Sequence, residues 1–148
     1  MVLEGKKPNI GFHVGTFKEL SKKGEEYYDL GYKTFQVFMG DARSFNLDIG
    51  PKDISRVRNL LKKDVRLITH SSYPTSMAKS MSSKIWGSSI EHVIEIARVL
   101  NSVGGGKIVT HAGSIEDSYD IENGISNAKF FCEDFEDRAG KYGIELCL

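Results

Sequence analysis

The 148-residue sequence contains only two cysteines, Cys132 and Cys147, and they form no C-x-x-C pair. This scarcity excludes a disulfide framework. Both cysteines occupy apolar positions, so we predict two buried thiols in a reducing compartment. No apolar run approaches the ~20 residues that a membrane-spanning helix needs, and the short, charged segment 1–8 is not a secretory signal. We expect a soluble protein without a membrane partner, in the cytoplasm or, in a eukaryotic or viral setting, the nucleus.

An excess of charge of either sign is also lacking, because Lys+Arg and Asp+Glu both number 20. The net charge therefore gives no indication of polyanion binding. It does not exclude such binding, because a local basic patch would be sufficient for it. The phosphate-binding glycine patterns are missing as well. The turn Gly15-Thr16-Phe17 has no G-x-G-x-x-G, and the run 104–106 precedes a strand instead of opening a helix. These absences exclude a dinucleotide-binding fold, and no P-loop or G-x-S-x-G motif is present.

What the sequence does contain is a regular alternation of strand-like and helix-like segments. Helices are predicted from Phe17, behind the capping residue Thr16, from Pro51, over 84–103 and over 121–142. Strands are predicted over 8–14, 34–39, 65–69, 107–110 and 144–148. This order indicates one domain, 1–148, with a parallel sheet and right-handed crossovers. An open doubly wound sheet and part of a (β/α)8 barrel both satisfy the pattern.

Three of the four histidines follow different strands, at the ends where function sits in parallel α/β folds. They are His13, His70 and His111, and we expect them to lie on one face. Neutral imidazoles that converge suit zinc or a similar transition metal. His13 is the weakest candidate ligand and is equally compatible with a supporting or a DNA-contacting role. The fourth histidine, His92, lies within the long helix and is predicted to be a surface or half-buried residue.

Four segments in strand-end positions resemble the endonuclease IV family of apurinic/apyrimidinic endonucleases. They correspond to the family patterns I-G-A-H-V, F-x-x-F followed by R-x-W, H-x-S-Y and H-P-G-S. In this chain they are Ile10-Gly11-Phe12-His13-Val14, Phe35-Gln36-Val37-Phe38 with Arg43-Ser44-Phe45, His70-Ser71-Ser72-Tyr73 and His111-Ala112-Gly113-Ser114. Each motif alone is weakly specific, whereas four in this order are fairly specific.

The resemblance implies the amino-terminal half of a (β/α)8 TIM barrel, with about five parallel strands and four helices. It also implies a zinc-dependent enzyme that hydrolyses the phosphodiester 5′ to an abasic site in double-stranded DNA. The family carries up to three zinc ions. By resemblance, His70 and His111 are zinc ligands, and Arg43 and Tyr73 belong to loops that enter DNA at the lesion, with His13 as a further candidate DNA contact.

The sequence departs from the family pattern at strand five. The family's catalytic glutamate would be expected directly after Leu148, and Glu145, which lies inside the strand three residues before Leu148, is predicted not to be a ligand. We therefore assign no catalytic residue with confidence and expect little activity from this chain alone. A half barrel leaves two open sheet edges, so we expect a fragment or interrupted gene product, a second polypeptide that carries the other half, or self-association that covers the edges.

Two other functions stay open. One is a metal-dependent sugar isomerase or epimerase of the same barrel superfamily, which would use the same end of the sheet. The other is a non-catalytic remnant or interaction module.

Overall fold

The computed structural model describes residues 10–115 and 120–148, and in these ranges five parallel strands alternate with four helices. The strands are β1 (Phe12–Thr16), β2 (Thr34–Phe38), β3 (Arg66–His70), β4 (Lys107–Val109) and β5 (Glu145–Cys147). The helices are α1 (Phe17–Asp29), α2 (Pro51–Leu61), α3 (Lys84–Val103) and α4 (Ile121–Ala139).

The order of the strands in the sheet decides between the two predicted architectures. Neighbouring strands are consecutive in the chain, β1-β2-β3-β4-β5, and all four pairs are parallel. A doubly wound sheet reverses its strand order at a switch point, whereas a (β/α)8 barrel does not. The prediction of half a TIM barrel is therefore confirmed.

Local sequence signals account for the helix ends. The Thr16 hydroxyl accepts the backbone N–H of Glu19, and the Glu19 carboxylate accepts the backbone N–H of Thr16, which together form a capping box. Pro51 occupies the first turn of α2. Gly104 ends α3 with a φ of 110°, a left-handed conformation that glycine adopts without steric cost. The predicted bounds of α3 are confirmed.

The core lies between the sheet and the layer formed by the helices, and each helix packs against the next one along the chain. The stripe of α4 that enters this core contains Phe131, Phe135 and Ala139. Phe35 of β2 is fully buried and makes an edge-on ring contact with Phe12 of β1. Burial of these large apolar side chains is the main force that holds the helical layer on the sheet.

Several predicted bounds were wrong by one to four residues. Within the described residues β1 begins at Phe12, and residues 8 and 9 lie outside them. α4 ends at Ala139, and a single 3₁₀ turn, Gly140–Tyr142, leads to Gly143 at a φ of 65°. β2 and β4 each end one residue earlier than predicted, and β3 lies one residue later. Ends of elements depend on hydrogen bonds to neighbouring segments, which periodicity does not report.

The prediction of two buried thiols was wrong. Cys132 is exposed and Cys147 is half-buried. Successive helical residues point about 100° apart, so Cys132 turns away from the core that its neighbour Phe131 enters.

None of the helices in residues 10–115 and 120–148 combines the length and the apolarity that crossing a bilayer requires.

Candidate functional site

Two imidazoles meet at the carboxyl edge of the sheet. His70 is the last residue of β3, and His111 follows β4 after one intervening residue. Their ring centroids lie 4.9 Å apart with a 39° angle between the ring planes. His70 is half-buried and His111 is exposed, so the pair lies at the boundary between core and solvent. We call this pair the histidine pair.

Buried hydrogen bonds below the histidine pair set its spacing. Ser71 and Thr110, the chain neighbours of the two histidines, are both buried, and the Ser71 hydroxyl donates to Thr110 Oγ1 at 3.0 Å. The Ser71 backbone N–H also donates to the Val109 carbonyl at 2.9 Å. These bonds extend the β3–β4 pairing past the ends of both strands, so the two imidazoles leave the sheet from a rigid base.

The loop that follows β3 is anchored to the loop that follows β4. The Ala112 carbonyl accepts the backbone N–H groups of both Met77 and Ala78, at 3.0 and 2.9 Å. Gly113 has a φ of 81°, and a Cβ there would lie 2.1 Å from the Ser76 hydroxyl oxygen. A side chain at position 113 would therefore push the two loops apart.

The electrostatics of His70 favour the neutral imidazole that binds metals. Burial lowers the pKa of His70 below its ordinary value, the Ser71 carbonyl opposes this effect, and the nearby His111 and His13 reinforce it. His70 Nδ1 lies 3.3 Å from the Ser71 carbonyl, which can only accept, so this nitrogen carries the hydrogen. Nε2 then has a free lone pair, and a backbone carbonyl that holds the other ring nitrogen is the usual support of a metal-bound histidine.

The spacing of the histidine pair also fits a shared metal. With Zn–N bonds of about 2.0–2.1 Å in tetrahedral geometry, two imidazoles on one zinc have ring centroids roughly 5 Å apart. The observed 4.9 Å matches this value. In residues 10–115 and 120–148, however, no group of three or more His, Cys, Asp or Glu side chains is arranged to hold a metal ion. The described residues thus bring together two imidazoles here, fewer than the three protein ligands that a catalytic zinc normally has.

Tyr73 lies against the histidine pair, and its loop touches the loop that carries Arg43. The Tyr73 ring is 62% exposed and is stacked on His111 at 23°, with 6.2 Å between the centroids. Its backbone N–H donates to the Ala42 carbonyl at 2.8 Å. Arg43 is exposed in the turn that follows β2, where its backbone N–H donates to the Asp41 carboxylate at 2.9 Å. The two residues therefore present an aromatic ring and a cation at neighbouring points of one rim.

The prediction that His13 follows the first strand was wrong, because His13 lies within β1, level with Gln36 in the middle of β2, and not at its carboxyl end. The Phe38 ring stands between His13 and the histidine pair, with centroids 5.1 Å from His13 and 5.3 Å from His70. His13 is exposed, and its Nε2–H donates to the Gly15 carbonyl at 3.1 Å. The structure thus brings His70, His111 and Tyr73 together and leaves His13 within β1, on the other side of the Phe38 ring.

Glu145 lies at the opposite end of the sheet from the histidine pair. It begins β5, pairs in register with Lys107 at the beginning of β4, and forms an ion pair with that lysine. Cys147, two residues later, is level with Val109, which in turn is level with His70. The Glu145 carboxylate therefore has a partner at the amino end of the sheet.

The prediction that His92 is a surface or half-buried residue was wrong, because it is 5% exposed. α3 packs against both α2 and α4 and covers the sheet, so its buried face is broader than one stripe. His92 lies on this face with Ile96 and Leu100, at i, i+4 and i+8, a spacing that could have revealed its burial. The placement of the Phe38 ring between His13 and His70 was also not predicted, although the position of Phe38 at the end of β2 was a signal for it.

Comparisons with known proteins agree with this geometry. The family model described as "Xylose isomerase-like TIM barrel" matches residues 25–148. The chain is 24% identical over 132 residues to a protein of Acanthamoeba polyphaga mimivirus named "Putative endonuclease 4", and the match covers 85% of this chain and 42% of the mimivirus protein.

Two solved structures of low sequence identity have the same fold. A D-tagatose 3-epimerase-like protein superimposes with a TM-score of 0.69 at 17% identity, over 93% of this chain and 51% of that one. Endonuclease IV from Thermus thermophilus superimposes with a TM-score of 0.58 at 18% identity, over 84% of this chain and 48% of that one. The chain spans about half the length of these relatives. Because the family model covers most of its residues, the chain belongs to the xylose isomerase-like TIM barrel family.

Proposed function

We propose that this chain supplies the first part of an endonuclease IV-type active site, which hydrolyses the phosphodiester 5′ to an abasic site in double-stranded DNA. The observation that carries the proposal is the histidine pair, with its 4.9 Å spacing and the exposed Tyr73 ring stacked on it. The match to the mimivirus protein supports a nuclease within the wider barrel family.

In this proposal His70 and His111 hold zinc, and imidazole ligands favour zinc over magnesium. When bound, zinc supplies an acidified water and offsets the negative charge that develops on the phosphate. The further ligands, up to those of a three-zinc cluster, come from outside the histidine pair. A second polypeptide or a second copy of this chain that completes the barrel is part of the same proposal.

The chain's own residues would contribute binding and orientation. Tyr73 and Arg43 offer a planar ring and a planar cation on one rim, and such groups replace the stacking that is lost when a nucleotide leaves the helix. His13, which is exposed within β1, is proposed as an additional DNA contact. This set would distinguish a damaged duplex from an intact one through stacking, and the proposal requires no contact that reads the identity of a base.

The test is binding and cleavage of a DNA duplex with one abasic site, compared with the intact duplex, with zinc and after its removal by a chelator. We expect zinc-dependent preference for the abasic duplex in anisotropy titrations of the 148-residue chain, and cleavage on its 5′ side when the remaining barrel strands are supplied as a second polypeptide. Equal affinity for both duplexes would contradict the proposed function.

A metal-dependent sugar isomerase or epimerase is the second candidate. It is favoured by the TM-score of 0.69 with the D-tagatose 3-epimerase-like protein, against 0.58 with the endonuclease. The TM-score compares the backbones of two folds, whereas the choice of ligand depends on rim residues such as Tyr73 and Arg43. Interconversion of ketohexoses by the completed barrel, without any preference for abasic DNA, would select this candidate.

A further inference from the structure

His92 of α3 contacts the loop after β3 at Ser72, between His70 and Tyr73. Its Nε2 lies 2.8 Å from the Ser72 hydroxyl oxygen and 3.4 Å from the Ser72 backbone nitrogen. Both residues are buried, at 5% and 3% exposure. A buried hydrogen bond between a helix and a loop is strong enough to hold the loop main chain, because no water can replace it.

The geometry assigns the hydrogen of His92 to one ring nitrogen. A backbone N–H can only donate, so the ring nitrogen that faces Ser72 is the acceptor and Nδ1 carries the hydrogen. Burial lowers the pKa of His92 to about 4, with a smaller opposing effect of the Phe45 carbonyl, so the ring is neutral at pH 7. Within the described residues Nδ1 makes no hydrogen bond of ordinary geometry, so the Phe45 carbonyl is the weaker polar neighbour and Ser72 the well-formed one.

The opposite contact of His92 is with the loop after β2. Its ring lies 5.1 Å from the Phe45 ring, centroid to centroid, and Phe45 is two residues from Arg43. The two loops also touch directly through the bond from the Tyr73 N–H to the Ala42 carbonyl. One buried imidazole thus touches both loops that carry the rim residues.

We propose that His92 is a positioning residue, which holds the segment Ser71–Tyr73 against α3 and so orients Tyr73 and His70 at the rim. The orientation of Tyr73 toward DNA rests on the proposed function, whereas the restraint on the loop does not. His92 itself lies beneath the rim and touches neither DNA nor metal.

The test compares three substitutions of His92 whose side chains differ in whether they can form a hydrogen bond with Ser72. His92→Phe keeps the ring against Phe45 and removes the acceptor. His92→Asn places its polar atoms at the level of Nδ1 and does not reach Ser72, whereas His92→Gln places them at the level of Nε2 and does. Ser102→Ala is the matched control, because it removes one hydroxyl bond, to the Val99 carbonyl, at the other end of α3.

The first measurement is amide hydrogen exchange of Ser72 and Tyr73 in the full chain, with imidazole ¹⁵N shifts of the parent. We expect Nδ1–H as the tautomer, and exchange about tenfold faster at Ser72 in the Phe and Asn variants, with recovery in the Gln variant. Unchanged exchange in His92→Phe, or equal behaviour of Asn and Gln, would overturn the proposal.

The second measurement is affinity for the abasic duplex, which we expect to fall about tenfold in the Phe and Asn variants and to recover in the Gln variant. If the parent shows no preference for the abasic duplex, the proposed function fails and the exchange data alone decide the role of His92. If the parent binds and His92→Phe binds equally well, His92 does not position the rim.

Discussion

The two ends of the sheet differ in how their polar groups are partnered. At the amino end, charges meet opposite charges, as in the pairs Lys107–Glu145 and Lys33–Asp64. At the carboxyl end one ion pair, Lys18–Asp48, joins α1 to the loop after β2, but the histidine pair itself contacts other rings. Paired charges satisfy each other, whereas burial lowers the pKa of His70 and so favours a neutral ring with a lone pair available. This contrast is the reason for placing the proposed ligand site at the carboxyl end.

Removal of either member of the histidine pair is expected to cause the largest loss of ligand binding at the carboxyl end. His70→Ala or His111→Ala should weaken zinc binding by about 100-fold or more, because each variant leaves a single imidazole. Isothermal titration with zinc measures the loss. His92→Gln and Glu145→Gln serve as controls that should bind zinc like the parent, and unchanged affinity in both alanine variants would refute the assignment of the ligands.

Acid is expected to loosen the layer beneath the carboxyl end. The pKa of His92 is about 4 in the folded chain, below its ordinary value of 6.5, so the folded state holds fewer protons. The stabilisation is complete above about pH 6.5 and is lost as the pH falls toward 4, by on the order of 3 kcal/mol.

Denaturant unfolding of the parent and His92→Phe at several pH values measures this loss. The stability of the variant should depend less on pH between 6.5 and about 4, and parallel curves for the two proteins would rule out His92 as the source. Groups that titrate in both proteins contribute equally to the two stability curves, so they do not affect the difference between the curves.

The rim residues should affect DNA affinity and leave zinc binding intact. Tyr73→Ala should weaken binding of the abasic duplex about tenfold, because one stacking contact contributes ~1–3 kcal/mol. Tyr73→Phe, which keeps the ring, is the matched control. A parallel loss of zinc affinity in Tyr73→Ala would mean that the ring supports the metal site instead.

Arg43→Ala should lower affinity less than Tyr73→Ala, and its effect should shrink as salt is raised, because a phosphate contact is screened. Arg43→Lys separates charge from the planar guanidinium. Anisotropy titrations at two ionic strengths test both points, and a loss that is independent of salt would argue against a phosphate contact.

Substitution at the amino end should have the smallest effect. Lys107→Ala and Glu145→Gln remove an exposed ion pair, and such pairs contribute little to folding. Zinc affinity, DNA affinity and the denaturation midpoint should all match the parent. A clear loss of zinc binding in Glu145→Gln would mean that the two ends of the sheet are not independent.

Much of the fold was predictable, because it depends on local signals. Thr16, Pro51 and Gly104 mark helix ends through their own hydrogen-bonding groups or backbone freedom. Alternation of strands and helices indicates a parallel sheet whatever the details of packing. Element bounds failed by a few residues, as at the end of α4, where the 3₁₀ turn depends on contacts with neighbouring segments.

The candidate site was predictable only in outline. The strand-end positions of His70 and His111 followed from the order of elements, but their 4.9 Å spacing depends on the Ser71–Thr110 bond between residues far apart in the chain. The burial of His92 was missed because a polar residue in a predicted helix does not reveal which elements will cover it, whereas both neighbouring helices pack on α3.

The sequence by itself determined the alternation, the helix caps and the positions of His70 and His111 at strand ends, because these depend on neighbours a few residues away. Tertiary structure alone decided which histidines meet, which one is buried and where Glu145 pairs. The physical reason is the distance along the chain over which each effect acts. Propensity and capping act within about one helical turn, whereas burial and ring contacts depend on which segments the sheet order makes neighbours.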